Sequence, residues 1–226
     1  MAITKTAISN NDMTAIKAAL DPLVTKGIAS AVAINGGETE ITVSDSDNHV
    51  ILKITKGSNT QAQFTIYASA SVSFTTTFSN SKIRSVFVTE SGAWLDVDTN
   101  SSASQNKYDA AAVIGKTNSG KTGVALQTAL STSNQIGTVV GYSSAWGAEE
   151  IAQATYNNIR TNKNQVFSRG VAICPPFATV MYLPDIEIAD MTQYTANTAQ
   201  PSYEIEISGT HYVTNGYLFL KDGGAT

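Results

Sequence analysis

The chain has 226 residues, 42% hydrophobic and 14% charged, with a net charge of −4 and a pI of about 5.1. That length and apolar fraction suffice for a buried core in one large domain or two small ones. A single cysteine, Cys174, excludes an internal disulfide framework, and with only His49 and His211 beside it there is no His/Cys cluster at metal-ligand spacing. The acidic balance argues against a nucleic-acid-binding surface, and no apolar run is long enough to span a membrane.

The opening MAITKTAISNND lacks a continuous apolar core, so no signal peptide is expected. Ser9-Asn10-Asn11-Asp12 supplies N-cap side chains, and Met13, Ile16, Leu20 and Leu23 recur at helical spacing. The helix is expected to end near Asp21-Pro22 or by Gly27, which makes residues 1–27 an N-terminal helix or arm. From Ile28 the period changes to two. IASAVAI, the turn Asn35-Gly36-Gly37 and TEITVSD come first; HVILKIT, AQFTIYA, SVSFTTTF and IRSVFVT follow at intervals of about ten residues. With AWLDVD at 93–98, residues 28–98 read as an antiparallel module of the sandwich or barrel type.

TNSSASQNK, residues 99–107, reads as a linker or long surface loop. Residues 108–226 read as a mixed α+β region. In it AAAVIG is a candidate strand, GVALQTAL a short helix and TVVGY a strand. Ala145 to about Asn162 has helical spacing at Ala148, Ile151, Ala152 and Ile159. VFSRGVAI and FATVMYL flank Pro175-Pro176, YEIEI alternates, and YVT-Asn215-Gly216-YLFL signals a hairpin with a type I′ turn. The fold class is therefore mainly β with some α, and no internal repeat is visible.

GKTNSGKT satisfies the phosphate-loop pattern through Gly115, Gly120, Lys121 and Thr122. In such a loop, backbone amides cradle phosphates, the lysine meets the terminal phosphates and the hydroxyl holds Mg²⁺, with the loop set between a buried strand and a helix N-terminus. The flanks AAAVIG and GVALQTAL fit that context; the wider chain does not. A parallel sheet of βα units should follow the loop, yet only about a hundred residues follow Lys121, and they read as one longer helix and a hairpin-rich end. The acid that would close the Mg²⁺ site, Asp185, comes directly after Pro184, and Gly123 weakens the helix that should hold the phosphates. The stretch reads instead as a polar loop, its two lysines surface charges and a candidate subunit contact; a nucleotide-binding enzyme is the alternative.

Other chemistry is sparse. There is no Gly-x-Ser-x-Gly elbow, and Cys174 as a nucleophile would need His49 or His211 beside it. Asp185, Glu187 and Asp190 lack the dense spacing of a Ca²⁺ loop and suit a solvated strand edge. Asn100-Ser101-Ser102 is a sequon without a secretion signal. Trp94 fits a core strand, whereas Trp146 is the better candidate for an exposed anchor, and it or the tyrosines of the C-terminal hairpin leave a carbohydrate- or receptor-binding module open as a further alternative. No metal or cofactor is expected.

Ordinary soluble domains carry charge on roughly a quarter of their residues. Interfaces are depleted in charge at their centres, so 14% suits a chain whose surface meets other subunits. The polar strands QAQFTIYASASVSFTTTF, the start MAITKTAISNND and the end SGTHYVTNGYLFLKDGGAT together resemble the virion structural proteins of tailed bacteriophages. That resemblance lies in texture over the whole length and carries over no individual residue. It implies a non-enzymatic subunit of the decoration, head-auxiliary, connector or tail-tube type, made in the host cytoplasm and located in the virion. Its partners would be copies of itself and neighbouring head or tail proteins, with neither nucleic acid nor membrane.

Overall fold

Asp12 begins the first helix: its carboxylate accepts a hydrogen bond from the Ala15 amide at 3.0 Å. Helix α1 (Met13–Leu20) follows, with Met13, Ile16, Ala19 and Leu20 buried along one stripe. Pro22 opens a second short helix, α2 (Pro22–Thr25), because a first-turn position needs no amide proton. Gly27, at φ 63°, ends it in the left-handed conformation that favours glycine. The computed structural model describes residues 3–67, 73–78, 82–98, 106–108, 110–116, 122–127, 130–131, 135–143, 152–157, 202–207, 209–214 and 219–222.

The rest is antiparallel β. Strands β2 (Ala31–Ile34), β3 (Glu40–Ser44), β4 (Val50–Ser58), β5 (Gln61–Tyr67) and β6 (Ser73–Phe78) form a five-stranded meander in chain order. Its period-two pattern becomes two ladders across the sheet, Val32–Val43–Leu52–Ile66 and Ile34–Ile41–Ile54–Phe64. These face the core. Thr42, Lys53 and Thr65, with Glu40, Thr55 and Gln63, occupy the other face.

A seven-stranded sheet has the order β1 (Thr4–Ala7), β7 (Lys82–Val88), β8 (Gly92–Asp98), β10 (Ala110–Lys116), β11 (Thr122–Gln127), β13 (Gln135–Ser143), β14 (Ala152–Asn157). Between its strands, β9 (Asn106–Tyr108) and β12 (Leu130–Ser131) pair as a two-stranded ribbon, and β15 (Tyr203–Ile207), β16 (Thr210–Thr214) and β17 (Phe219–Lys221) make a three-stranded sheet. Residues 28–98 thus divide between two sheets after β6.

Alternation fades in the middle of the larger sheet. Ser85 to Val88, Gly92 to Val97 and Ala111 to Gly115 are buried without interruption, because both faces are covered. On one face the buried Thr122 hydroxyl donates to the carbonyl of Ile28, just before the five-stranded sheet. On the other, Trp94 donates through Nε1 to the Ser202 hydroxyl at 2.8 Å, at the threshold of β15. One apolar cluster runs from α1 through both large sheets to Tyr212, Val213 and Leu220.

Asn11 joins the two large sheets. Fully buried and left-handed at φ 49°, it donates from Nδ2 to the Ser58 carbonyl at 3.2 Å and accepts from the Ile83 amide through Oδ1 at 2.7 Å. Asn tolerates this backbone because the left-handed conformation costs it less than it costs other residues with a Cβ. The turn between β7 and β8 is held as well: Thr89 Oγ1 accepts from the Ser91 and Gly92 amides, Glu90 pairs with Lys26, and the Glu90 amide donates to Asp222 Oδ1 at 3.0 Å.

Two expectations are corrected. GVALQTAL is not a helix: Thr122–Gln127 is strand β11, in which Gly123 disfavours a helix and burial on both faces removes the polar alternation that would mark a strand. Nor is Ala145 to Asn162 a continuous helix, since Ala152–Asn157 is β14, where Ala152, Ala154 and Tyr156 alternate with Gln153, Thr155 and Asn157. The C-terminal strands pair antiparallel as expected, with Thr214 facing Phe219; the Asn215-Gly216 turn lies outside the described residues. Strand β1 was not anticipated.

Gly92, Gly115 and Gly123 form a row across β8, β10 and β11. A Cβ placed on Gly92 would lie 1.9 Å from the Ile114 carbonyl oxygen and 3.0 Å from Gly115 Cα. Backbone cannot yield as a flexible side chain can. Gly92→Ala is expected to lower stability by about 2–3 kcal/mol through overpacking. Equilibrium urea unfolding checks this; an unchanged midpoint would show that the β8–β10 contact is looser than drawn.

Candidate functional site

The phosphate-loop letters sit on a hairpin. Gly115 and Lys116 close β10, Thr122 opens β11, and Lys116 faces Thr122 across the antiparallel pair. Residues 117–121, including Gly120 and Lys121, lie outside the described residues. A strand follows the loop where a phosphate site needs the amides of a helix N-terminus. The Thr122 hydroxyl, which would hold Mg²⁺, is spent on the Ile28 carbonyl and is 1% exposed. The loop has the right spelling in the wrong secondary structure.

Asp96, the buried acid of β8, has a structural task. Its carboxylate is 1% exposed; Oδ2 accepts from Arg84 Nε at 2.8 Å, while Oδ1 accepts from the Ser202 amide at 3.1 Å and the Ser202 hydroxyl at 2.8 Å. Trp94 donates to the same hydroxyl. A buried carboxylate with this many donors is a structural clamp between the central sheet and the C-terminal strands. Trp94, fully buried, presents no face to a sugar, and Tyr212 is buried too. Trp146, Cys174, Asp185, Glu187 and Asp190 lie outside the described residues. His211 is exposed on β16, 3.8 Å from Glu206, and His49 sits at the start of β4 after a tight turn.

The ionisation of Lys53 is displaced. A hydrogen bond donated by its ammonium to the Tyr67 oxygen raises its pKa above the ordinary lysine value, and Glu40, at 3.5 Å, adds to the effect. These three tie β3, β4 and β5 together on the polar face, where the ammonium is too exposed for a catalytic role that depends on losing its proton.

The strand edges are more informative. An exposed edge presents a row of backbone donors and acceptors that template pairing with another chain, and isolated proteins guard such edges with charge or proline. Here β1 carries Lys5, β15 carries Glu204 and Glu206, and β17 carries Lys221. Strand β2 has no charge, but both helices pack against it. By contrast β6, SFTTTF, and β14, AQATYN, contain neither charge nor proline. Among the described residues, β6 pairs only with β5 and β14 only with β13, so each closes one side of a large sheet. Sequence reasoning found SVSFTTTF as a strand but placed Ala152–Asn157 in a helix, and nothing in the sequence marked either as a terminal strand.

No family model, curated protein or solved structure matches the chain.

Proposed function

We propose that the chain is a non-enzymatic structural subunit of a tailed-bacteriophage particle, assembling with copies of itself and with neighbouring head or tail proteins. The observation that carries this reading is the pair of unguarded edges, β6 and β14, on opposite large sheets of a sparsely charged chain. Two edges on different sheets give each subunit two places to add a strand, the requirement for a ring or lattice rather than a single closed pair. The phage context rests on the resemblance in texture.

Sedimentation of the purified chain tests the assembly reading. A symmetric oligomer is expected. Thr77→Lys in β6 and Gln153→Lys in β14 each place a charge on one edge strand, and each is expected to weaken association about tenfold or more. A monomeric chain that also fails to bind purified phage particles would overturn the proposal. So would saturable binding of ATP with Mg²⁺ that disappears in Lys121→Ala, in favour of the nucleotide-binding enzyme.

A further inference from the structure

The turn between β3 and β4 brings together Asp45, Asp47 and His49, whose ligating atoms all lie within 4.8 Å of one another. The turn is tight: the Asp45 amide donates to the His49 carbonyl, the Asn48 amide donates to the Asp45 carbonyl, and Asn48 is left-handed at φ 64°. Asp45 is 1% exposed, and its two oxygens differ. Oδ1 accepts from the amides of Asp47 and His49, both at 2.9 Å, and so fixes the carboxylate in place. Oδ2 is equally buried, has no hydrogen-bond partner, and points at the group, 3.6 Å from His49 Nδ1.

A buried carboxylate oxygen without a donor is costly. The approach of His49 does not remove that cost, because 3.6 Å is too long for a hydrogen bond and the attraction requires a protonated ring. The distance does suit two ligands of one cation. With metal–oxygen and metal–nitrogen bonds of about 2.0–2.1 Å, a 3.6 Å separation corresponds to an angle of about 120° at the metal, within the range of a tetrahedral site.

We infer that Asp45 Oδ2, Asp47 and His49 form a binding site for a first-row divalent cation of the Zn²⁺ type. An imidazole with two carboxylates favours such an ion over Ca²⁺, which needs six to eight oxygens. Three protein ligands leave a fourth position for water or for a group from another molecule. The site lies at the end of the five-stranded sheet, away from β6 and β14 as elements, and does not depend on the assembly reading.

The test uses the full chain without a histidine tag, stripped with EDTA and titrated with Zn²⁺ by calorimetry and with Co²⁺ by absorbance. One equivalent is expected to bind, with a tetrahedral Co²⁺ spectrum. Asp45→Asn, Asp47→Asn and His49→Gln should each weaken binding by about tenfold or more. His211→Gln, which removes the other histidine beside an acid, should leave it unchanged. Asp47→Asn and His49→Gln alter accessible side chains, and circular dichroism of each variant verifies that a loss is not unfolding. Zn²⁺ binding weaker than about 1 mM would overturn the site, as would binding that survives His49→Gln or vanishes in His211→Gln.

Discussion

Asn11→Ala is expected to lower the unfolding free energy by about 3–5 kcal/mol, among the largest effects a single exchange can have here. Two terms contribute. Truncation orphans the Ile83 amide and the Ser58 carbonyl, each costing about 1–3 kcal/mol where water cannot replace the amide. It also puts alanine at φ 49°, where that residue costs about 1–2 kcal/mol. A pair of companion variants separates these terms. Asn11→Gly relieves the backbone only and should recover about 1 kcal/mol, whereas Asn11→Asp keeps the acceptor for Ile83 but sets an oxygen against the Ser58 carbonyl. Guanidinium unfolding of the three variants measures this, and a loss below about 1 kcal/mol for Asn11→Ala would mean that the two sheets are joined by apolar packing alone.

The second large effect is expected at Asp96. Asp96→Ala leaves the Arg84 guanidinium, the Ser202 amide and the Ser202 hydroxyl without their acceptor, and a broken buried pair of this kind costs about 3–5 kcal/mol. Arg84 is a third exposed, so water recovers part of its interaction and the lower half of that range applies. Ser202→Ala should lose less, since it removes one hydroxyl and keeps the amide. In a double-mutant cycle the two positions should couple by more than about 1 kcal/mol, because they share one network. Additive losses would indicate that Asp96 is stabilised by Arg84 and not by the C-terminal strands.

The legible part of the fold was the part with one wet face. From Ala31 to Phe78 each strand alternates, so periodicity located β2 to β6, and Asp12 with Met13, Ile16 and Leu20 located α1. Legibility failed where both faces are dry or where an element is short. Thr122–Gln127 is covered on both sides and reads as well for helix as for strand, while Thr4–Ala7 has too few residues to show a period. The division of residues 28–98 between two sheets was invisible for a different reason: the partners of β7 are β1 and β8, and the first of these pairings is decided far from the segment itself.

The candidate sites followed the same logic. GKTNSGKT was legible as letters, and only the pairing of Lys116 with Thr122 showed that its setting is a hairpin. Asp45, Asp47 and His49 were passed over because counting His and Cys ignores carboxylates, and because alternate residues of a turn converge only when its backbone folds as Asn48 does. The spacing of three ligand-bearing residues two apart, directly after a strand, is the signal that was available.

The Asp96 clamp also has a temporal meaning. Ser202 meets Asp96 across 106 residues, and Asp222 meets the Glu90 amide across 132, so these are contacts of high sequence separation whose loop closure is slow. During synthesis the meander from β2 to β6 can pair as soon as it emerges, but the acid face of β8 must wait for nearly the whole chain. Until the last strands arrive, Asp96 and Trp94 remain without their Ser202 partner, and the central sheet is unfinished on that side. The C-terminal strands therefore complete the central sheet last.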